Sequence, residues 1–361
     1  MHAAILRDGT ATMDVAEVWR DDPRPREVIV RTVAAGLCHS DYHLIDGVLV
    51  RPRPIILGHE ASGVVIEVGS EVTSVAVGDH VVTCLVMGCG SCRPCSLGEP
   101  GFCLNPTATK RQPGDKPRIT FKDGAPVGQM SAIGGLGSEL IVDERALTKI
   151  PTTIPLTLAP LLGCAVVTGL GAVLKVAKVQ PGETVAVIGC GGVGLNVIQA
   201  AQIARAGRII AIDVNDAKLQ MATTFGATDL INSAADDAIA IVREITGGGV
   251  DHAFEVVGRE STVQQAFDLA SPGRHAYALG IHPDDGRVTI ATNGLRRGKS
   301  LVGVFMGDAD PRVDIPRYVD LWATGQLGLE SMVSHVLPLE QANEGFALMA
   351  AGESARTVIT F

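Results

Sequence analysis

Apolar and polar positions change their rhythm once along the chain, near residue 166. Before that point the pattern is strand-like. Residues 3–6 form a short apolar run that reads as an edge strand, and 27–33 alternate as a half-buried strand does. A turn at Gly36 delivers the polar run 37–43, and Pro52 and Pro54 mark loop before the apolar 55–57. Residues 61–68 read as a strand interrupted by glycine, as in a barrel-like domain that must bend, and 80–85, 138–142 and 147–150 add further strands. The proline-broken polar stretch 107–126 reads as a surface loop or lid, and 156–162 open a helical run that carries Cys164 on to Leu174. After residue 166 strands and helices alternate. A strand at 185–188 is followed by a helix at 195–206, a strand at 208–212 and a helix at 216–225. Short elements at 229–231, 236–245, 251–257 and 262–270 come next, their type left open by the pattern, and strands at 275–279 and 301–304 follow. That order predicts a Rossmann-type doubly wound parallel sheet. The last stretch, with helices at 315–323 and 339–351 and strands at 333–338 and 355–361, is too short for another domain. It is expected to return to the first part. The expected architecture is α/β, with a nucleotide-type domain at 166–305 inserted into a mostly β domain made of 1–165 and 306–361.

Composition narrows the functional classes. A chain of 361 residues, 46% hydrophobic, can build two cores, and 42 glycines against 4% aromatics promise many turns and close backbone approaches. A formal charge of −9 argues against nucleic-acid or acidic-membrane partners and makes any local anion site more noticeable. With no leader-like start and no span-like apolar run, the expected compartment is the cytoplasm. Eight cysteines are unusual there unless they hold metal or do chemistry, and four of them crowd into residues 89–103.

Two stretches carry chemistry by their own spacing. Residues 189–194 read G-C-G-G-V-G between a predicted strand and a predicted helix. Gly189 permits the tight turn, Gly191 lets backbone approach a pyrophosphate, Gly194 lets the helix pack on its strand, and Gly192 and Val193 open a helix N-terminus toward the phosphates. Asp213, closing the next strand, can accept hydrogen bonds from both ribose hydroxyls and would repel a 2′-phosphate, which favours NAD over NADP. The plainer reading is a tight turn with no cofactor. The second stretch is C-x2-C-x2-C-x7-C at Cys89, Cys92, Cys95 and Cys103. Four thiolates at such spacing can close a tetrahedron around zinc with no open position, which is a structural site. An iron–sulfur cluster is the competitor, but its C-x2-C-x2-C-x3-C-P spacing differs in the last gap, and plain thiols are the remaining reading.

Cys38, His59 and Cys164 are too far apart for spacing to unite them, and each alone could be an ordinary buried thiol or turn histidine. The runs at 36–41 (G-L-C-H-S-D), 57–61 (L-G-H-E-A), 163–169 and 352–361, together with the cysteine loop and the glycine turn, resemble zinc-dependent medium-chain alcohol dehydrogenases essentially end to end. The resemblance is to the branch with a structural zinc, near the horse-liver type and the glutathione-dependent formaldehyde dehydrogenases. It implies a GroES-like catalytic domain and two zinc ions per chain. The catalytic ion would be held by Cys38, His59 and Cys164, and the structural one by the four-cysteine loop. It further implies a proton relay through Ser40 and His43, a metal-side role for Glu60, and a second-layer hydrogen bond from Asp41 to His59. Contacts to NAD(H) are implied for His39, Thr168, Lys218 and Arg356. A homodimer or homotetramer is expected. The substrate reading is a small medium-chain or aromatic primary alcohol or its aldehyde, because Leu85 and Gly137 stand where apolar channel walls are expected. The alternative is a thiol-adduct formaldehyde dehydrogenase. Val48, Leu49, Val50 and Thr107 replace that class's charged anchors, although Arg51, Arg53, Lys110 and Arg111 lie nearby. A zinc-stabilised NAD-binding protein without catalysis is the non-enzyme reading.

Overall fold

The computed structural model describes residues 1–283 and 285–361, and these form two compact units. The first comprises Met1–Cys164 and Ala309–Phe361, the second Ala165–Asp308. Among the described residues no helix is long and apolar enough to cross a membrane.

The first unit is built on strand Glu27–Gly36. Strand Glu60–Val68 pairs with it antiparallel along one edge, while the other edge is shared by Glu139–Asp143 and, near Gly36, by the C-terminal strand Arg356–Thr360. The alternation of residues 27–33 predicted one wet face. Instead Glu27, Val28, Ile29 and Val30 are all buried and Arg31 alone is exposed, because the sheet is covered on both sides. Residues 3–6 are likewise not at an edge. Strand His2–Leu6 lies between Met13–Glu17 and Ile55–Ile56, which explains why Ala3, Ala4, Ile5 and Leu6 are at most 1% exposed. The helical run foreseen from 156 breaks at Cys164. A tight turn Ala159–Gly163 ends there and a new helix, Ala165–Gly171, begins. A short helix His39–Ile45, absent from the sequence expectations, follows Cys38.

The 107–126 stretch has a definite anchor. The Arg111 guanidinium bonds Glu27 Oε2 at 2.6 Å and Asp21 Oδ2 at 2.5 Å, and Arg118 donates to Glu27 Oε1 at 2.7 Å. Arg118 Nη2 and Arg145 Nη2 also hold the carbonyls of Thr109 and Ala108. These bonds tie residues 108–118 to the first unit's strands and loops. Burial works against the Glu27 charge, but Arg111, the Arg24 N–H and Arg118 outweigh it and hold the carboxyl down to about 2. A carboxylate depressed in the fold contributes stability above its unfolded value near 4.5 and loses it as pH falls toward 2. Glu27→Gln is therefore expected to cost about 2 kcal/mol at pH 7, after allowance for solvent screening, with the deficit shrinking below pH 4.5. Urea melts of both proteins at pH 7 and pH 3.5 check this; an equal deficit at the two pH values would refute it.

The second unit is a six-stranded sheet, parallel throughout. In space its order is Asp229–Asn232, Arg208–Asp213, Thr184–Ile188, Val250–Glu255, Ala270–Ala278, Ser300–Gly303, the 3-2-1-4-5-6 order of a dinucleotide fold. The ambiguous 236–245 is helix Ala238–Thr246, started by the Asp237 side chain accepting from Ile239 and Ala240 N–H and stopped by Gly247 at φ 74°. The direction reversal lies between strands Thr184–Ile188 and Val250–Glu255, so the carboxyl ends of those strands form the expected ligand crevice.

Candidate active site and metal centres

Cys38 is the N-cap of helix His39–Ile45, which turns Asp41 inward and leaves His39 exposed. The fully buried Asp41 carboxylate accepts from Cys38 N–H at 3.1 Å and Gly58 N–H at 3.0 Å, and lies 3.2 Å from His59 Nδ1. That bond was foreseen; it fixes the ring so that Nε2 points away as an acceptor. Thr83, which sequence reasoning missed, ties the same strand. Its hydroxyl donates to His59 O and accepts from Ala61 N–H, both at 2.8 Å. Gly163 allows the last donor in: a Cβ there would overlap the Thr83 carbonyl oxygen.

The result is a buried cluster of Cys38, His59, Glu60 and Cys164 whose donor atoms all lie within 4.8 Å of one another. Around zinc with bonds of about 2.0–2.3 Å, donor atoms stand roughly 3.5–3.8 Å apart, so the cluster fits such an ion with slight closure. Its electrostatics agree. Sharing with the Cys164 thiol, helped by His59 and Arg356, draws Cys38 well below the usual thiol range, while the same sharing pushes Cys164 well above it. Two sulfurs holding one negative charge between them are what a divalent cation relieves by ionising both. Burial pushes the Glu60 carboxyl up to about 8, opposed by Arg356. Its Oε1 lies 3.2 Å from Arg356 Nη1, an ion pair that is not aligned as a hydrogen bond, and neither Glu60 oxygen has a hydrogen-bond partner among the described residues. Arg356 also donates to Leu37 O at 2.9 Å. This arginine, expected at a pyrophosphate, thus has its guanidinium buried beside Glu60. Ser40 Oγ stands 3.4 Å from His59 Nε2, on the metal-facing side of the ring, and His43 Nδ1 lies 3.4 Å from Asp46 Oδ2.

The second cluster, Cys89, Cys92, Cys95 and Cys103, also has its sulfurs within 4.8 Å, with Cys92 and Cys103 sulfurs 3.9 Å apart. A zinc tetrahedron with bonds of about 2.3 Å has an edge of about 3.8 Å. Backbone N–H groups of Cys89 and Asn105 approach Cys103 Sγ at 3.2 and 3.3 Å, and that of Cys92 approaches Cys89 Sγ at 3.4 Å. Such donors favour thiolate, and those around Ser91 and Cys92 bring Cys89 down to about 5. A Cβ at Gly88 would lie 2.7 Å from Cys95 Sγ, so that glycine is needed for space.

In the second unit, helix Gly192–Ile203 starts immediately after Gly191, where an added Cβ would meet nothing within 4 Å. That open ground above a helix N-terminus fits a pyrophosphate. Gly189 takes φ +100°, and a side chain at Gly194 would overlap the Gly189 carbonyl. Asp213 accepts from Cys190 N–H at 2.7 Å through Oδ2, and from Val214 and Asn215 N–H at 2.8 and 3.0 Å through Oδ1. The carboxylate is held at the turn with a lone pair still to offer. Lys218 is half-buried on the following helix, and the Thr168 hydroxyl is buried against Met306 Sδ at 3.5 Å. Gly137, expected along the substrate wall, is buried instead, as is the neighbouring Leu136. Leu136 belongs to the core, and Gly137 forms a bridge with Ala3 beside the Met1 side chain. The exposed-looking turn around them in sequence is closed over by the N-terminal strand.

Comparison with known proteins agrees with this geometry. Residues 24–152 match the alcohol dehydrogenase GroES-like domain and 192–324 the zinc-binding dehydrogenase domain. The chain superposes on an alcohol dehydrogenase zinc-binding domain protein from Burkholderia ambifaria with a TM-score of 0.95 at 33% identity, covering 100% of this chain and 98% of that one. Benzyl alcohol dehydrogenase from Acinetobacter calcoaceticus gives 0.91 at 29% identity, covering 100% and 99%. A zinc-binding dehydrogenase from Sinorhizobium meliloti, solved bound to NADP, gives 0.81 at 26%, with the same coverage. With a Rossmann unit, a GroES-like unit and two donor clusters suited to a catalytic and a structural zinc, the chain belongs to the zinc-dependent medium-chain dehydrogenase/reductase family and is a zinc- and NAD(H)-binding oxidoreductase of the alcohol dehydrogenase type.

Proposed function

We propose that this enzyme interconverts a medium-chain or aromatic primary alcohol and its aldehyde, with NAD(H) as the hydride partner. The observation that carries the reading is the buried Cys38–His59–Cys164 set, with the Ser40 hydroxyl on the metal-facing side of the His59 ring. Zinc held by Cys38, His59 and Cys164 would supply Lewis acidity to a substrate alcohol, and NAD held at the glycine turn would supply the hydride acceptor. The remaining work belongs to side chains. Ser40 accepts the substrate hydroxyl proton, and His43, one helical turn along, carries it toward solvent. Asp41 keeps His59 in the ligating tautomer, and Arg356 pairs with Glu60 beside the three ligands. Gly191, Gly192, Val193 and Gly194 receive the pyrophosphate, joined by His39. Asp213 takes the adenosine ribose, with Lys218 beside it and Thr168 on the nicotinamide side. A cytoplasmic homodimer or homotetramer belongs to the same proposal.

Two of the four cations available for an anionic thiol adduct are engaged elsewhere, which weighs against the formaldehyde reading. Arg111 is paired with Asp21 and Glu27, and Arg53 donates to the carbonyls of Arg7, Thr10 and Leu44. The likeness to a benzyl alcohol dehydrogenase supports an apolar, ring-sized substrate. Initial rates of NAD reduction are expected to give kcat/KM for hexanol or benzyl alcohol at least about 30-fold above ethanol, since each buried methylene is worth about 0.8 kcal/mol. Strong formaldehyde oxidation that requires an added thiol would overturn the assignment.

A further inference from the structure

Glu255 ends strand Val250–Glu255 on the carboxyl edge of the sheet, and it joins three segments there. Its carbonyl accepts from Leu279 N–H at 2.8 Å and Gly280 N–H at 3.3 Å. Oε1 of its side chain collects three donors, the N–H groups of Val257 at 2.8 Å and Gly258 at 2.7 Å and the Thr262 hydroxyl at 2.7 Å. The neighbouring Val256 N–H reaches Ile188 O at 3.0 Å, just before the glycine turn. Gly258 and Gly280 face each other so closely that a Cβ on either would overlap the other segment's backbone. Val257 in turn backs the glycine turn: a Cβ at Gly189 would lie 2.8 Å from its Cγ2.

The distribution of partners on the carboxylate is lopsided. Glu255 is fully buried, three donors crowd Oε1, and Oε2 has no hydrogen-bond partner among the described residues. Leaving a buried carboxylate oxygen unmatched is costly. The group facing it is His282 Nε2, 3.8 Å away, within ion-pair range and beyond hydrogen-bond length. His282 follows Ile281, and Ile281 and Val257 are both 40% exposed on this edge. A small turn of the His282 side chain would make the contact a hydrogen bond and tie residue 282 to the Glu255 carboxylate, across backbones at 280–281 and 257–258 that already touch.

We propose that Glu255 and His282 form a positioning pair for the bound dinucleotide: His282, acting through Glu255, holds the Gly280–Ile281 backbone against Val257–Gly258 and so keeps both exposed aliphatic side chains in place beside the glycine turn. Neither residue belongs to a metal-donor cluster, and the pair takes no part in proton transfer. It depends on dinucleotide binding alone, so its test is independent of which alcohol is the substrate.

The test measures NADH binding by the fluorescence of the bound coenzyme, with stopped-flow dissociation rates and thermal melts, on the zinc-loaded enzyme. His282→Ala is expected to weaken NADH about 5–10-fold through faster dissociation, and to raise KM for NAD more than it changes kcat. His282→Lys, which keeps a donor, is expected to stay within about threefold of the parent. Glu255→Gln should weaken binding similarly, and adding His282→Ala to it should cost little more, because the two act as one unit. Should Glu255→Gln fold poorly, the comparison of the alanine and lysine variants decides alone. Unchanged NADH affinity in His282→Ala, equal loss in His282→Lys, or a lower melting temperature with binding intact would overturn the pair.

Discussion

Replacing Cys164 with alanine is expected to lower kcat/KM for alcohol oxidation by about 10³-fold or more and to remove one of the two zinc ions per chain. NADH binding should stay within about twofold. The size follows from what the cluster does: a Lewis acid at the substrate oxygen is worth several kcal/mol of barrier, and each 1.4 kcal/mol is tenfold in rate. Three donors become two, and the buried Cys38 thiol keeps only His59 and Arg356 to favour its charge. The backbone supports of the site are unaffected, because Asp41 and Thr83 hold the His59 segment without Cys164. Cys103→Ala supplies the contrast. It should also lose one ion, but its effect should fall on stability, since no residue of the four-cysteine loop, 89–103, is buried and the loop depends on metal for its shape. Zinc content by atomic emission, beside rates and thermal melts, separates the two. Full activity in Cys164→Ala with one zinc missing would remove the catalytic cluster from the reaction.

Local signals in the sequence made the metal and cofactor elements legible, and long-range ones did not. The cysteine loop was readable because its four ligands fall within residues 89–103, and the glycine turn because strand, turn, helix and Asp213 follow in order. The catalytic trio was different. Cys38, His59 and Cys164 come from three separate segments, and only the resemblance united them; nothing in their spacing could. The helix after Cys38 escaped the hydrophobic pattern because it is only about two turns long, with the polar Asp41 buried beside Leu44 on its inner face. An acid three residues after the cap was the available signal, since that position bonds back to the cap N–H. Strand Glu27–Gly36 was placed but misjudged in depth, because alternation reports one sheet face and cannot show that a second layer covers the other. The pairing of Arg111, left open among the basic residues near a thiol-adduct site, was hidden for a related reason. A basic residue in a polar, proline-broken stretch looks exposed, and its partners Asp21 and Glu27 lie some ninety residues earlier. Gly137 was misplaced because the strand that covers it is the N-terminal one.

Asp213→Asn is expected to shift coenzyme preference toward NADP by about 10²-fold in the ratio of kcat/KM values, roughly 2.7 kcal/mol. Two effects add. The charged acceptor for the ribose hydroxyls is weakened, where a hydrogen bond to a charged group contributes about 1.5–3 kcal/mol, and the repulsion of a 2′-phosphate disappears. Asparagine is the appropriate substitution because the side chain also organises the turn. Its oxygens accept from Cys190, Val214 and Asn215 N–H, and an amide oxygen can keep the pair on Oδ1 while the Cys190 bond is lost. Asp213→Ala would strip all three and confuse coenzyme choice with a collapsed turn. The expected pattern is a roughly tenfold fall with NAD and a roughly tenfold rise with NADP, at unchanged zinc content. The Sinorhizobium meliloti relative, 26% identical, was itself solved bound to NADP. A preference ratio unmoved within twofold, with the variant's thermal melt intact, would mean that Asp213 serves the turn alone and that some other group reads the ribose.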